Sequence, residues 1–293
     1  MYFPFQLPKV PGYSEEPVWE NGSFMLGNTR HKVIKYSQND MGWNDDLTIL
    51  HEESATETHP IDMASRKQAI SQVRHFCKKK QPVILEIGCS SGYFLKDLQK
   101  NFPEAFIIGS DVIPDKLELL ADDLTNIPLM QFDLTNCPLP EESVDVLIML
   151  NVLEHIERDL EALIQAQRIL KPGGLLILEV PAGPHLFDVY DKFLKHFRRY
   201  TLSELKSKVI SSGLTIQHKS HLGVFPYPLF YCIKKKNQRL LQLQEDEQKE
   251  VVSRVIKQSA KSPLLRLLMF LELWLGQYIA YPFGIRCIMT CRK

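Results

Sequence analysis

The sequence predicts an α/β fold in which a largely parallel sheet carries helices on both faces. Three observations support this prediction. Apolar runs typical of strands buried on both faces alternate with amphipathic stretches at helical spacing. A glycine-bearing turn directly follows one of these runs, and the next run ends at an acidic residue. We therefore expect a ligand site at the carboxyl edge of the sheet, where open α/β sheets bind their ligands.

The glycine-bearing stretch is VILEIGCSSGYFLKDL, residues 83–98, which combines a strand, a turn and the start of a helix. Gly88 and Gly92 bracket the turn, so the backbone can bend sharply and approach a ligand where a Cβ would collide. The next strand, predicted at residues 106–110, ends at Asp111, about 20 residues beyond the turn. A carboxylate at this place can accept hydrogen bonds from both ribose hydroxyls, which favours a ribose-bearing cofactor.

The spacing of the glycines argues against two common cofactors. A dinucleotide turn needs G-x-G-x-x-G, but this chain has Gly88, Ser90 and Tyr93 at those positions. No lysine follows the turn, as a phosphate-binding loop would require. Together with Glu86 and Gly92, the turn instead resembles the E-x-G-x-G-x-G motif of class I S-adenosylmethionine-dependent methyltransferases, with serine replacing the middle glycine. A turn bordered by a carboxylate suits the cationic sulfonium of that cofactor.

Further segments resemble the same family. A strand predicted at 130–134 contains Asp133, which the resemblance places beside the adenine, and a buried strand at 144–150 runs into NVLEH. An amphipathic helix at 159–170, the turn KPGG and a fifth strand at 175–180 follow. The resemblance implies a Rossmann-like class I methyltransferase fold, with a seven-stranded, mostly parallel sheet, an antiparallel last strand and helices on both faces. The cofactor-binding residues that it implies are Glu86, Gly88, Cys89, Ser90, Gly92, Asp111, Val112, Asp133, Leu134, Leu150 and Asn151.

Polar and titratable groups concentrate in VPAGPHLFDVYDKFLKHFRRYT, at the carboxyl end of the fifth strand. This segment resembles a bacterial branch of the type 11/12 methyltransferases, which is often associated with glycan, lipid or secondary-metabolite pathways. Methyl transfer depends chiefly on alignment, and a base is needed only for a hydroxyl or a protonated nitrogen. The candidate catalytic residues are His155, Asp191 and His196, and the candidate acceptor-binding residues are His185, Tyr190, Arg198, Arg199 and Tyr200. Alternatively, His196, Arg198 and Arg199 form a hydrogen-bond cluster that fixes the loop.

Composition restricts the partners and the compartment. The 293 residues include 35 basic and 35 acidic side chains, so the overall charge does not favour a nucleic-acid partner. The six cysteines form no CxxC pair and no grouping with histidine, which indicates neither a metal site nor a disulfide framework. The first residues lack the basic leader and long apolar core of a signal peptide. We expect a cytoplasmic protein, and the sequence leaves its oligomeric state open.

The sequence also predicts how the chain is divided into regions. We expect an N-terminal cap segment at residues 1–60 with little regular structure, and then a methyltransferase domain at 61–293 that contains a helical insertion at about 227–282. A helix is predicted at 62–77 and another at 201–212, and the last strand at 283–292. Several aromatic residues of the cap either cover an apolar acceptor or pack on the core, and the second alternative is favoured. These residues are Trp19, Phe24, Tyr36 and Trp43.

The insertion contains LLRLLMFLELWLGQYIAY, residues 264–281, which is nearly all apolar. Its length is marginal for a membrane span, and Glu272 near its middle makes a span too costly. Two alternatives remain: an internal helix that covers an apolar substrate, which we favour, and an interfacial helix on a membrane. Basic residues that would support a peripheral membrane contact are Lys234, Lys235, Lys236 and Arg239. The polar run at 242–250 predicts a solvated helix.

The sequence thus predicts a methyltransferase that uses S-adenosyl-L-methionine and acts on a small-molecule, lipid-like or glycan-linked acceptor by in-line transfer. One alternative is a protein of the same fold that binds cofactor or a partner without turnover. Another is an aminopropyl transferase, but such a site needs several carboxylates, and residues 151–155 supply only Glu154. Oxygen, nitrogen and carbon acceptors all remain open, as does the use of a general base.

Overall fold

The structure, a computed structural model, describes residues 3–37, 57–242 and 262–293. The predictions for Trp43 and for residues 243–250 of the polar run lie outside the described residues. In chain order, the strands are β1 (Val18–Glu20), β2 (Ser23–Leu26), β3 (Thr29–His31), β4 (Val33–Lys35), β5 (Val83–Ile87), β6 (Phe106–Asp111), β7 (Leu129–Gln131), β8 (Val144–Leu150), β9 (Leu170–Pro181), β10 (Thr215–Leu222) and β11 (Arg286–Arg292). The α-helices are α1 (Pro60–Phe76), α2 (Tyr93–Asn101), α3 (Pro114–Asp123), α4 (Asp159–Ile169), α5 (Val189–Phe193), α6 (Leu202–Ser211), α7 (Tyr227–Gln238) and α8 (Pro263–Leu275).

The main sheet has the order β10-β11-β9-β8-β5-β6-β7-β4 within the described residues. β11 is antiparallel to both of its neighbours, whereas the remaining pairs are parallel. This order confirms the predicted Rossmann-like fold with an antiparallel last strand. The sheet has eight strands instead of seven because β4 pairs with β7 and covers the edge that β7 would otherwise expose.

The N-terminal residues contain more regular structure than the sequence predicts. β1, β2 and β3 form a separate antiparallel sheet, and β4 joins the main one. These strands are three or four residues long, too short to give a periodic signal. Trp19 and Phe24 are buried in the main core with ring centroids 4.6 Å apart, so they pack on the core as favoured. The division into a cap at 1–60 and a domain at 61–293 stays a prediction.

Two apolar clusters cover the two faces of the sheet. Ile84 and Leu85, which are adjacent on β5, are both fully buried and belong to opposite clusters. Side chains of α4 and α6 complete one cluster, and side chains of α1, α2 and α3 complete the other. A strand buried on both faces therefore explains the near-continuous apolar run that precedes the glycine turn.

The predicted KPGG turn lies within a strand in the structure. Residues 171–174 are part of β9, and the backbones of Gly173 and Gly174 exchange hydrogen bonds with Lys293 at 3.1 and 3.0 Å. Pairing with the residue after β11 thus extends the strand. The local sequence could not predict this pairing, because the partner residue is distant in sequence.

Arg286 on β11 fixes α1 against the sheet. Its Nη2 lies 2.6 Å from Asp62 Oδ1, and its Nη1 lies 2.6 Å from Ser65 Oγ and 2.8 Å from Glu179 Oε1 on β9. The guanidinium is largely buried, and both carboxylates raise its pKa against the effect of burial. This charge-assisted cluster holds the N-terminal end of α1 beside the carboxyl edge of β9.

The insertion between β10 and β11 contains α7 and α8. The apolar run at 264–281 forms α8, which packs through Met269 against Ala64 of α1 and Ile288 of β11. Glu272, the acidic residue of this run, is fully buried and accepts hydrogen bonds from Gly223 N at 2.5 Å and Phe225 N at 3.2 Å. The outer face of α8 is apolar and exposed, including Phe270 at 65%. No helix in the described part of the chain combines the length and apolarity that a membrane crossing requires.

Candidate functional site

A cavity of about 460 Å³ opens at the carboxyl edge of the sheet. It extends from the turn after β5, past the ends of β6 and β8, to one side of α7. Every cofactor-binding residue that the sequence predicts lines this cavity. We describe the part formed by β5, β6 and β8 as the cofactor half, and the part formed by residues 152–156, α5 and α7 as the acceptor half.

The turn after β5 depends on glycine at two positions. Gly88 and Gly92 have φ angles of +76° and +71°, in the left-handed region. A Cβ on Gly88 would lie 2.5 Å from Val152 Cγ2, and one on Gly92 would lie 2.4 Å from Leu120 Cδ1. Ser90, which replaces the middle glycine of the motif, keeps a left-handed φ of +44°. The serine therefore preserves the shape of the turn at the cost of local strain.

Asp111 at the end of β6 is joined to the same turn. Its Oδ2 accepts from Ser90 N at 2.9 Å, and its Oδ1 accepts from Ile113 N at 3.1 Å. Burial raises the pKa of this carboxyl group, and the backbone donors together with Lys116 oppose the effect. A carboxylate has about four lone-pair sites, so two backbone donors leave capacity for ligand hydroxyls.

Glu86 supplies a second carboxylate to the cofactor half. It is 5% exposed, and its Oε2 has no hydrogen-bond partner among the described residues. Burial and the charge of Asp111 raise the pKa of Glu86 well above its usual value. A buried acceptor without a donor is costly unless a ligand satisfies it. An adenosyl sulfonium with an amino group supplies both a positive charge and donors, so the residues present fit that cofactor.

Asp133 and Asn151 border the cofactor half from the loops that follow β7 and β8. Asp133 Oδ1 accepts from Thr135 N at 2.8 Å and so caps the short turn Leu134–Asn136. Asn151 follows β8 with a φ of +55°, and its Nδ2 donates to Glu179 Oε1 at 3.2 Å. These local hydrogen bonds fix the loops in the positions from which they border the cavity.

The acceptor half rests on a buried charge cluster. Asp191 Oδ1 lies 2.8 Å from His196 Nδ1 and 2.8 Å from Arg199 Nη1. Lys234 of α7 donates to Asp191 Oδ2 at 3.0 Å and to Asp188 Oδ1 at 2.7 Å. Burial would raise the pKa of Asp191, but the His196 hydrogen bond and the two cations hold it well below its usual range. Two carboxylates and two cations thus balance one another.

The predicted catalytic role of Asp191 stays a prediction, and its side chain lies behind the cavity surface. The residue is completely buried and does not line the cavity, because His196 lies between it and the open space. Asp191 orients the imidazole of His196. His155 and His196 do line the cavity, and their ring centroids are 4.6 Å apart.

Glu154, next to His155 on the turn Leu153–His155, is fully buried at the cavity wall. Neither carboxylate oxygen has a hydrogen-bond partner among the described residues, and burial raises the pKa of Glu154 to about 8. One potential ligand atom each from Glu154, His155 and His196 lies within 4.8 Å of the other two. The sequence search missed this cluster because His196 comes from a distant segment.

The structure separates the predicted acceptor-binding residues into two groups. Tyr190 and Arg199 line the cavity. His185, Arg198 and Tyr200 do not. Tyr200 is buried and donates to Asp159 Oδ2 at 2.8 Å, and Arg198 lies 2.7 Å from the same carboxylate.

Through these contacts Arg198 and Tyr200 join the loop before α6 to Asp159, while their role in acceptor binding stays a prediction. His185 accepts through its backbone oxygen from Gln238 of α7 at 2.8 Å, and its side chain likewise lies away from the cavity lining.

One face of α7 forms a wall of the cavity that sequence reasoning did not predict. It presents Leu229, Phe230, Ile233, Lys234 and Asn237. Their spacing of three and four residues is a helical signal that could have identified this face. The helix α8 contributes Leu265 alone among its described residues, so α7 covers more of the cavity than the apolar run does.

The strand order, the glycine turn and the carboxylate that follows β6 define a Rossmann-like protein that binds a nucleoside-containing cofactor at its carboxyl edge. Residues 85–178 match the type 11 family described as methyltransferase domain. Residues 85–178 thus belong to a methyltransferase domain, and the fold together with the similar proteins supports a class I S-adenosylmethionine-dependent methyltransferase, whose cofactor is S-adenosyl-L-methionine.

Two relatives and one solved structure illustrate the similarity. The chain is 26% identical over 132 residues to malonyl-(acyl-carrier protein) O-methyltransferase of Halalkalibacterium halodurans, covering 43% of this chain and 49% of the relative. It is 32% identical over 117 residues to tRNA U34 carboxymethyltransferase of Desulfotalea psychrophila, covering 38% and 36%. A crystal structure of an S-adenosylmethionine-dependent methyltransferase from Mesorhizobium loti is 15% identical, with a TM-score of 0.50 and coverage of 80% and 100%.

The chain spans about half or less of the length of these two curated relatives. One relative is named for malonyl-(acyl-carrier protein) and the other for a tRNA, so these names do not support the predicted exclusion of nucleic acid.

Proposed function

We propose that this protein transfers a methyl group from S-adenosyl-L-methionine to a small, lipid-like acceptor. The observation that carries the proposal is one cavity with two unlike ends: a cofactor half built from backbone turns and carboxylates, and an acceptor half with an apolar wall and a polar end. Methyl transfer needs alignment of the two reactants, which contributes roughly 7 to 11 kcal/mol in favourable cases.

In the cofactor half, Asp111 would hold the ribose, Glu86 and the turn at residues 88–92 would border the amino-acid end, and Asp133 would lie near the adenine. When bound, the cofactor supplies an activated methyl group on sulfonium. The chain itself contributes position, since its loops are held by hydrogen bonds within the chain. Such preorganisation reduces the free-energy cost of aligning the reactants.

In the acceptor half, the apolar part of the acceptor would lie against α7. Phe230 and Ile233 line the cavity there, and Leu229, which also lines it, is 68% exposed and so extends the apolar wall to the surface. The polar end would lie near His155 and His196. An acceptor with an apolar body and a polar reacting group matches this arrangement.

The exposed face of the insertion supports a peripheral contact with an anionic membrane as part of the same proposal. Leu264, Leu267 and Phe270 of α8 are each more than half exposed. Glu272 is the only acidic residue in the described part of the insertion and is buried, whereas Lys236, Arg239 and Arg266 are exposed. Apolar side chains together with basic ones favour a surface of anionic lipid. Such a surface would supply lipid-like acceptors near the apolar wall of α7.

Transfer of labelled methyl groups tests the proposed activity. The full chain is incubated with S-adenosyl-L-methionine carrying a labelled methyl group and, separately, with lipid extracts, quinones, phenols, sugars and RNA. We expect label in a lipid or small-molecule fraction, and none with Gly88→Arg, whose side chain would collide with Val152. Label in RNA alone would contradict the proposed acceptor class. Tight cofactor binding without label in any fraction would favour a binding protein without turnover.

Vesicle flotation tests the membrane contact separately. We expect the chain to float with vesicles containing phosphatidylglycerol, and the Leu267→Glu/Phe270→Glu variant to remain in the soluble fraction. Leu265 and Met269 are left unchanged because their side chains pack against the domain. Equal flotation of the wild type and the variant would contradict the contact through α8.

A further inference from the structure

We propose that Glu154, His155 and His196 bind a divalent transition-metal ion, with zinc as the best match, at the acceptor end of the cavity. One potential ligand atom from each residue lies within 4.8 Å of the other two. All three residues border the cavity. Two imidazoles and one carboxylate are a donor set of catalytic zinc sites, which keep a further position open.

The surroundings of the Glu154 carboxylate favour a bound cation. Its carboxylate is fully buried, and neither oxygen has a hydrogen-bond partner within the described residues. Buried polar groups without partners are rare because each loses its interactions with water. A metal ion bound at this carboxylate would provide the interaction that the neighbouring protein groups do not.

His196 is already oriented as a metal ligand. Its Nδ1 is held 2.8 Å from Asp191 Oδ1, which leaves Nε2 as the nitrogen available to a ligand. Histidine ligands of metal sites commonly make this kind of hydrogen bond to a carboxylate through the other ring nitrogen. Arg199 and Lys234 hold Asp191 in turn, so the orientation of the imidazole is fixed from two sides.

The surrounding charges do not exclude a cation. Arg199 and Lys234 are positive, but they are paired at 2.7 to 3.0 Å with the buried carboxylates of Asp188 and Asp191. The charges of this neighbouring cluster therefore already cancel. The three candidate ligands add one carboxylate and two imidazoles, which can bind a cation. Nitrogen and oxygen donors together favour zinc-like ions over magnesium or calcium, which prefer oxygen alone.

The role of the ion, unlike its binding, rests on the proposed function. An open metal position would take an acceptor hydroxyl and lower the pKa of that hydroxyl. The hydroxyl proton would pass to water, a carbon–oxygen bond would form to the methyl group, and the sulfur–carbon bond would break with its electron pair remaining on sulfur. The inference thus narrows the acceptor class to molecules with a hydroxyl group, and it makes His155 and His196 ligands instead of free bases.

Metal titration of the full chain tests the site without acceptor or turnover. After treatment with a chelator and removal of it, Zn²⁺ is titrated by calorimetry, and Co²⁺ serves as a probe whose visible absorption reports nitrogen and oxygen ligation. We expect one equivalent of tight binding. Glu154→Gln and His196→Gln should weaken it at least tenfold, while His218→Gln and Cys232→Ser, which change a histidine and an exposed cysteine outside the site, should leave it unchanged.

A second variant separates ligation from folding. Asp191→Asn keeps the shape of the side chain behind His196 and should weaken Zn²⁺ binding about 10- to 100-fold, as outer-shell changes do. Circular dichroism and S-adenosyl-L-methionine affinity verify that each variant is folded. The metal site is overturned if the wild type binds no Zn²⁺, or if Glu154→Gln and His196→Gln bind it as the wild type does.

The two proposals fail in different ways. If Zn²⁺ binds as expected but no methyl label is transferred, the proposed function fails and the metal site stands. If label transfer continues undiminished in metal-free protein, the proposed function stands and the role of the ion in it fails.

Discussion

The cofactor half and the acceptor half of the cavity are built by different means. In the cofactor half, the Asp111 carboxylate accepts hydrogen bonds from the backbone N–H groups of Ser90 and Ile113, near the ends of adjacent strands. In the acceptor half, Asp188, Asp191 and Lys234 form a buried cluster that joins α5 to the insertion. The first arrangement depends mainly on short segments of chain, and the second on contacts between distant segments. Substitutions should therefore affect the two halves in different ways.

The largest expected effect is on stability, from Lys234→Met. The variant leaves Asp188 and Asp191 buried without their shared cation, and breaking a buried pair costs about 3–5 kcal/mol of the free energy of unfolding. Urea denaturation measures this loss. Lys236→Met, an exposed position on the same helix, should change the free energy of unfolding by less than about 0.5 kcal/mol. Similar effects of the two variants would contradict the importance of the buried cluster.

The next effect concerns cofactor binding. Asp111→Ala removes the carboxylate that would hold the ribose, and hydrogen bonds to charged groups contribute about 1.5–3 kcal/mol. We expect the dissociation constant for S-adenosyl-L-methionine to rise about 10- to 150-fold in calorimetry. Asp115→Ala, an exposed aspartate at the start of α3, is the matched control. An unchanged affinity of the Asp111 variant would show that the ribose lies elsewhere.

Glu272→Ala tests how the insertion is attached to the sheet. The substitution leaves the N–H groups of Gly223 and Phe225 without their acceptor, which costs about 1–3 kcal/mol of the free energy of unfolding. Thermal and urea denaturation measure the change, with Arg266→Ala on the exposed side of α8 as the control. If α8 were attached by apolar contacts alone, the two variants would be equally stable.

The smallest expected effect is at the turn itself. Ser90 has a positive φ, and a β-branched residue tolerates that conformation poorly, so Ser90→Val should cost about 1–2 kcal/mol of the free energy of unfolding. Ser90→Gly relieves the strain but adds freedom to the unfolded chain, so its stability should remain within about 1 kcal/mol of the wild type. A glycine variant less stable than the valine variant would contradict the strain at this position.

The difference between the halves also explains what the sequence could predict. All proposed cofactor contacts lie near strand ends and can be located from periodicity, glycine spacing and family resemblance. The metal-binding candidates could not be found that way, because Glu154 and His155 come before α4 and His196 comes after α5. The sequence places Asp191 among the polar groups after the fifth strand, but only the folded chain shows that its carboxylate lies behind the imidazole of His196.

Two features of the fold were missed for physical reasons. β4 is three residues long and is stabilised by pairing with β7, not by a pattern of its own. The apolar run that forms α8 predicted a covering helix, yet most of the wall over the cavity belongs to α7, whose sequence mixes lysines with apolar residues. The lysine that obscures this pattern, Lys234, is buried because two carboxylates pair with it.

The position of β11 between β9 and β10 has a consequence for synthesis on the ribosome. β10 emerges before the insertion, but its partner strand β11 is translated only after it, so β10 cannot join the sheet until then. The nascent chain exposes the edge of β9 during this interval, while the strands around the glycine turn are already available to pair. An incomplete polypeptide can thus pair the strands around the glycine turn before β11 and β10 complete the opposite edge of the sheet.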